Sequence, residues 1–240
     1  MKGVILIHGL TGTPANMAPL AEGLGRAGFR VITPLLAGHG TCVENLLKTR
    51  LHEWVASVSR AYDELSRDCE EIYCAGQSLG ALLTLNMALD DSRSLKKIAC
   101  MGTPLRLSPL LAMLLLPISH IPPIRQLIRY SKKDWSRSVA DGLGREMYKN
   151  SSYDRIPIPS VWELQKLQRD ILKRLGELRV PSLLIHSKLD KVAPPFNVGL
   201  FCKKAINITP KVLWLHRSEH VILLDHERDI VVQEIANFFS

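Results

Sequence analysis

Residues 76–80, Gly-Gln-Ser-Leu-Gly, set a serine between two glycines, directly after the apolar run Ile72–Ala75 and directly before a helix-like pattern. A serine hydroxyl is a poor nucleophile at neutral pH. It needs a base to take its proton and a third group to hold that base in the right tautomer. A strand turning sharply into a helix leaves no room for side chains on either side of the turn, and Gly76 and Gly80 meet that demand. The G-x-S-x-G spacing therefore predicts a nucleophile elbow with Ser78 at its tip. Five residues do not decide the matter alone. The rest of the chain must supply a base, an acid and donors for an oxyanion.

On a strand–helix fold of this kind the partners follow the serine in the order acid, then histidine, each on a loop after a strand. After "SLLIHS" comes "KLDKVAPP", which puts Asp190 on the next loop; after "KVLWLH" comes "RSEHVILLDHE", which puts His220 on the loop beyond the last strand. His216 and Asp225 are the alternatives, His216 expected inside the last strand and Asp225 closer to the final helix. His216 and His220 are four apart, but on a strand–loop junction that spacing does not put them on one helix face, so no metal pair is expected. Attack on a carbonyl creates an oxyanion, and losing one of its donors costs about 3–4 kcal/mol of barrier. One donor is expected at the backbone N–H of Leu79, at a helix start where N–H groups are free. The other is expected from "HGLTGTP" (His8–Pro14), with the N–H of Leu10 the best candidate.

These residues need a scaffold. Apolar runs rich in Val and Ile recur at 3–7, 30–33, 71–75, 97–101, 181–185 and 211–215, the pattern of strands buried on both faces of a parallel sheet. Helical patterns fall between most of them, at 17–27, 52–68, 79–89, 196–205 and 227–239; in the second, Trp54, Val58, Ala61 and Leu65 form one stripe. The alternation predicts an α/β fold, a mostly parallel central sheet flanked by helices. The stretch 105–177 breaks the rhythm, with no clear strand and with prolines at 109, 117, 122, 123, 157 and 159. Its run "LLAMLLLPI" is far short of the roughly 20 residues that span a bilayer, so a helical insertion lying over the sheet is expected. The domain reading is a core of 1–104 and 178–240 with a cap at 105–177.

A chain of 240 residues can bury one sizeable core. Its five cysteines are odd in number and scattered, with no C-x-x-C pair, which argues against a disulfide framework or a zinc site and for a reducing compartment. "MKGVILIHG" runs directly into a buried strand without the features of a signal peptide, so a cytoplasmic protein is expected. Net charge is +8, and residues 105–177 carry 13 Lys+Arg against 7 Asp+Glu, leaving +2 for the remainder. No nucleic-acid motif accompanies the excess, so a solvated basic face is expected and no nucleic-acid partner.

In sequence order, "HGLTGTP", "GHGT" (Gly38–Thr41), "HEWV" (His52–Val55), "GQSLG", "LDKVAPP" and "SEHVILLD" resemble the α/β-hydrolase superfamily, and within it the small bacterial carboxylesterases and monoacylglycerol lipases. The similarity covers residues 3–104 and 178–240. It implies Ser78, Asp190 and His220 as a catalytic triad, Leu10 and Leu79 as oxyanion donors, and a cap inserted where the irregular segment lies. It implies hydrolysis of a small-molecule acyl ester through an acyl-enzyme, with no cofactor and no metal. A thioesterase or acyltransferase with the same triad, or a small-ligand receptor on a hydrolase pocket, are the alternatives. Within the cap, Leu110, Leu111, Met113, Leu114, Leu115 and Leu116 are expected in cap core, in an acyl site, or in transient contact with a lipid surface. Arg125, Arg129, Lys132 and Lys133 are expected to face solvent or that surface. The oligomeric state is not legible.

Overall fold

The computed structural model describes residues 1–108 and 129–240 of the chain. The six Val/Ile-rich runs become six strands: β1 (Lys2–Ile7), β2 (Arg30–Ile32), β3 (Glu71–Gln77), β4 (Ile98–Met101), β7 (Ser182–Ser187) and β8 (Lys211–Leu215). They form one sheet in the order β2-β1-β3-β4-β7-β8, every pair parallel. Successive side chains on a strand point to opposite faces, and the core divides accordingly. Ile5, Ile7, Cys74, Ile98, Cys100 and Leu184 pack into one cluster with α3 (Leu51–Leu65) and α4 (Leu79–Ala88). Val4, Leu6, Tyr73, Ala75, Met101 and Ile185 pack into the other with α1 (Ala18–Arg26) and α8 (Arg228–Phe239). Continuous apolar strands are what a sheet covered on both faces requires, and each large side chain buried this way contributes roughly 1.5–3 kcal/mol.

The predicted stripe on α3 is buried at Trp54, Val58, Ala61 and Leu65. Helix α4 is apolar on all sides and buried from Leu79 to Leu85, because it sits between the sheet and the later helix α6 (Ile158–Arg174). Helix α7 (Phe196–Lys204) follows β7 and lies near its predicted bounds.

Two features depart from the sequence expectation. A six-residue helix, α2 (Val43–Lys48), precedes α3; it is too short for a helical period to register. The segment expected to lack strands holds β5 (Tyr130–Lys132) and β6 (Arg155–Pro157), an antiparallel pair with α5 (Gly142–Asn150) between them. Three-residue strands carrying Lys132, Arg155 and Pro157 have no apolar alternation to read. Between β4 and β7 the described part of the chain is bound to the rest at several points. Tyr153 N–H donates to the Thr11 carbonyl at 3.0 Å, Ser160 Oγ to the Leu46 carbonyl at 3.0 Å, and Leu51 N–H to Glu163 Oε2 at 3.1 Å. The apolar run 110–116 and Arg125 lie outside the described residues.

Candidate active site

Strand β3 ends at Gln77, α4 begins at Leu79, and Ser78 makes the whole turn between them. Its backbone stands at φ 58° and ψ −114°, a conformation that costs a non-glycine residue on the order of 1–3 kcal/mol. The flanking glycines are needed for contact reasons. A Cβ on Gly76 would overlap the Gly80 carbonyl, and one on Gly80 would overlap the Ile7 carbonyl at the end of β1. The Ser78 N–H donates to the Met101 carbonyl at 2.9 Å, which carries the β3–β4 pairing into the turn. The elbow therefore holds Ser78 half-buried, with its hydroxyl toward the carboxyl end of the sheet.

There it meets the residues from the loops after β7 and β8. His220 Nε2 lies 2.9 Å from Ser78 Oγ, and His220 Nδ1 lies 2.8 Å from Asp190 Oδ2. Asp190 and His220 are both buried. The second Asp190 oxygen accepts from the N–H groups of Val192 at 2.9 Å and Ala193 at 2.8 Å, which fixes the carboxylate plane. This order of contacts favours one tautomer. Nδ1–H donates to Asp190, and Nε2 is left to accept from the Ser78 hydroxyl.

The alternatives serve other purposes. His216 lies just beyond β8, not inside it, and is exposed; its N–H donates to Glu227 Oε1 at 3.0 Å. Glu227 also accepts from Arg217 N–H and Ser218 N–H, each at 2.9 Å, and so clamps the start of the His220 loop. Asp225 is buried and accepts four backbone N–H groups, from Ala140 and Glu219 at 2.8 Å and from Asp141 and His226 at 2.9 Å. It thereby ties the His220 loop to the segment before α5.

The two candidate oxyanion donors lie on segments next to Ser78. Leu79 opens α4, and Leu10 sits on the loop after β1, where a Cβ on Gly9 would stand 3.4 Å from Ser78 Cβ. Among the described residues neither N–H meets an acceptor. The loop is held by two histidines whose role the sequence reading did not assign. His8 Nε2 accepts from Leu36 N–H at 3.2 Å, and His39 Nε2 accepts from Thr11 N–H at 3.3 Å. Each ring donates from Nδ1 to a carbonyl, Gly9 at 2.9 Å and Ala37 at 3.0 Å. Thr11 has φ 68°, strained for a β-branched residue. The signal was present in the "HG" after β1 and in "GHGT", but not the contacts. Gln77 was likewise missed; its Nε2 donates to the His220 carbonyl at 2.8 Å. His186 lies buried behind Asp190, and its Nε2–H donates to the Ala193 carbonyl at 2.7 Å.

Burial holds all three of these histidines neutral. It lowers the pKa of His8 to about 3, assisted by His39 and opposed by the bond to Gly9, and it lowers that of His39 to about 4 against its backbone bonds. His186 is lowered too, first by burial, with Asp190 opposing. The unfolded chain takes up protons on these rings below its ordinary 6.5 while the folded chain does not. Their stabilisation is thus complete above pH 6.5 and is lost as pH falls toward 4, on the order of 1 kcal/mol per pH unit for His8 and for His39, with His186 acting in the same direction. The melting temperature is expected to hold above pH 7 and to decline steadily from pH 6.5 to 4.5. A level profile across that interval would exclude the argument.

A cavity of about 290 Å³ opens on Ser78 and His220. Its apolar wall comes from Leu10, Leu107, Ile156, Val161, Leu164 and Val221, and Ser131, Lys132, Lys133, Asp134, Arg137 and Ser138 add polar lining. Lys133, expected to face solvent, is buried here (7 % exposed), while Arg129 and Lys132 are exposed as expected. Among the described residues no His/Cys/Asp/Glu group is arranged to hold a metal ion.

A parallel sheet with a serine elbow, and an acid and a histidine on later loops, defines the α/β-hydrolase class. The family model described as serine aminopeptidase, S33, matches residues 2–227, and the chain belongs to that family. It is 31 % identical to the thermostable monoacylglycerol lipase of Bacillus sp. (strain H-257), over 99 % of this chain and 90 % of that one. It is 26 % identical to a carboxylesterase of Bacillus subtilis (strain 168), over 100 % of this chain and 92 % of that one. Among solved structures, one described with the metagenome-derived lipolytic enzymes LipS and LipT superposes with a TM-score of 0.87 at 30 % identity, over 99 % of this chain and 92 % of that one.

Proposed function

We propose that the protein is a carboxylic ester hydrolase, of carboxylesterase or monoacylglycerol-lipase type, working through an acyl-enzyme on Ser78. The hydrogen-bonded sequence Ser78–His220–Asp190, opening on a cavity with an apolar wall, carries the reading. Ser78 Oγ attacks the ester carbonyl as its proton passes to His220 Nε2. The oxyanion is held by the N–H groups of Leu10 and Leu79, and Asp190 stabilises the charged imidazole. Collapse breaks the bond to the alcohol oxygen, which takes the proton from His220. Water then gives a proton to His220 and attacks the acyl carbonyl, releasing the acid and returning the proton to Ser78. No step calls for a metal or cofactor.

Residues 105–177 act as a cap in this reading: Val161 and Leu164 of α6, with Leu107, supply apolar surface to the acyl group, and the basic segment touches lipid surfaces transiently. A cytoplasmic location fits the unpaired cysteines; among the described residues no helix is long and apolar enough to cross a membrane. The aminopeptidase activity in the family's description fits less well. A peptide's ammonium end calls for carboxylates, whereas Lys132, Lys133, Arg137 and Lys191 line the cavity against Asp134.

A panel of p-nitrophenyl esters and monoacylglycerols of graded chain length, with matched thioesters and aminoacyl amides, tests the proposal. Turnover is expected to be highest on the oxygen esters and to rise with acyl length until the apolar wall is covered. Faster cleavage of the thioester or amide in a matched set would overturn the ester assignment. Binding with release faster than any turnover would favour a receptor.

A further inference from the structure

The Lys133 ammonium is placed in a way that neither the fold nor the proposed chemistry requires. It donates to Thr11 Oγ1 at 2.8 Å and lies over the rings of Tyr148, 3.8 Å from the centroid, and Trp135, at 4.5 Å. The Thr11 hydroxyl and two ring faces are its direct contacts. Among the described residues it forms no ion pair with a carboxylate, and residues 109–128 contain no Asp or Glu that could supply one. A buried charge without a directly paired counter-ion is costly; burial holds this ammonium's pKa below the ordinary lysine value, with the Tyr148 side chain and, beyond ion-pair distance, the Asp154 carboxylate opposing. Its neighbours on the same cavity do not compensate. Arg137 pairs with Asp134 at 3.3 Å and Lys191 with Glu219 at 2.8 Å, while Lys132 adds another cation. The polar lining of the cavity that contains Ser78 therefore carries net positive charge.

We infer that the cavity is built for esters that carry an anionic group, a carboxylate or a phosphate, which lies against Lys133 while the scissile carbonyl lies at Ser78. The inference rests on the ester-hydrolase reading and deepens it. Neutral esters fill the apolar wall and leave the ammonium without a directly paired anion. An anionic ester supplies a direct partner and favours the charged form of the lysine. One charge-assisted hydrogen bond in a partly dry cavity corresponds to a preference of about 10-fold or more.

Two matched pairs read this. A phenyl hemisuccinate against phenyl butyrate places the anion on the acyl side. A lauroyl monoacylglycerol against the same lipid bearing a phosphate on its terminal hydroxyl places it on the alcohol side. In at least one pair the wild type is expected to show the higher kcat/KM for the anionic member, and Lys133→Met to reduce that ratio about 10-fold or more. Because the variant also loses the Thr11 contact, both members slow together, and the ratio cancels that loss. A wild-type ratio at or below unity in both pairs overturns the inference whether or not the variant folds, as does a ratio that Lys133→Met leaves unchanged. Calorimetric titration of the Ser78→Ala protein with the phosphate lipid and its neutral match reads binding without turnover. Selective binding of the anion with no hydrolysis of any ester would remove the ester-hydrolase reading and leave only the anion subsite at Lys133 standing. Equal binding together with normal hydrolysis would do the reverse.

Discussion

Replacing Ser78 by alanine is expected to lower ester hydrolysis by about five to six orders of magnitude while leaving the fold intact. In the proposed mechanism the Ser78 hydroxyl oxygen bonds to the acyl carbon, and none of the other described side chains meets His220 Nε2 as it does at 2.9 Å. Stability is expected to change little. Alanine at φ 58° keeps the same backbone strain, and only one half-buried hydrogen bond is lost. Ser78→Gly, which removes the Cβ, is expected to be as inactive yet more stable by about 1 kcal/mol, since glycine adopts that backbone freely. A serine-directed organophosphonate should label the wild type once, at Ser78, and neither variant. Labelling at another serine, or near-normal turnover by the alanine variant, would remove Ser78 from its role.

How much of this was legible follows from what each residue's place depends on. The strands were readable because a two-faced parallel sheet demands unbroken Val/Ile runs, and all six appeared where those runs stand. Ser78, Asp190 and His220 were readable because each sits at a fixed offset after a strand, so the strand boundary locates the residue. Lys133 was misread because it follows Lys132 in a basic stretch, and nothing local says that Thr11, Trp135 and Tyr148 close around one of the pair. His8 and His39 stood in motifs, but their work is to accept N–H groups 28 residues away in sequence, which no local spacing encodes. The same holds for Asp225, whose four backbone donors come from two separate segments. Local chemistry set the positions along strands and turns; partners brought in by tertiary packing set protonation, burial and charge.

Asp190 and Asp225 therefore make opposite predictions. In Asp190→Asn, the amide oxygen can keep the bonds from Val192 and Ala193, which turns the NH2 toward His220. His220 Nδ1 must then accept, the ring proton moves to Nε2, and the imidazole can no longer take the proton of Ser78. A loss of about 10⁴ in kcat is expected, with KM and melting temperature little changed. In Asp225→Asn, one oxygen cannot serve four N–H groups that now meet two oxygens, at 2.8–2.9 Å. Two buried donors then face an NH2 group, and a stability loss on the order of 2–5 kcal/mol is expected, with kcat reduced only through the loosened Glu219–His220 segment. Measuring kcat and melting temperature for both variants separates the two roles. If Asp225→Asn abolishes turnover in a fully stable protein while Asp190→Asn melts early and keeps its rate, then Asp225, and not Asp190, is the acid that orients His220.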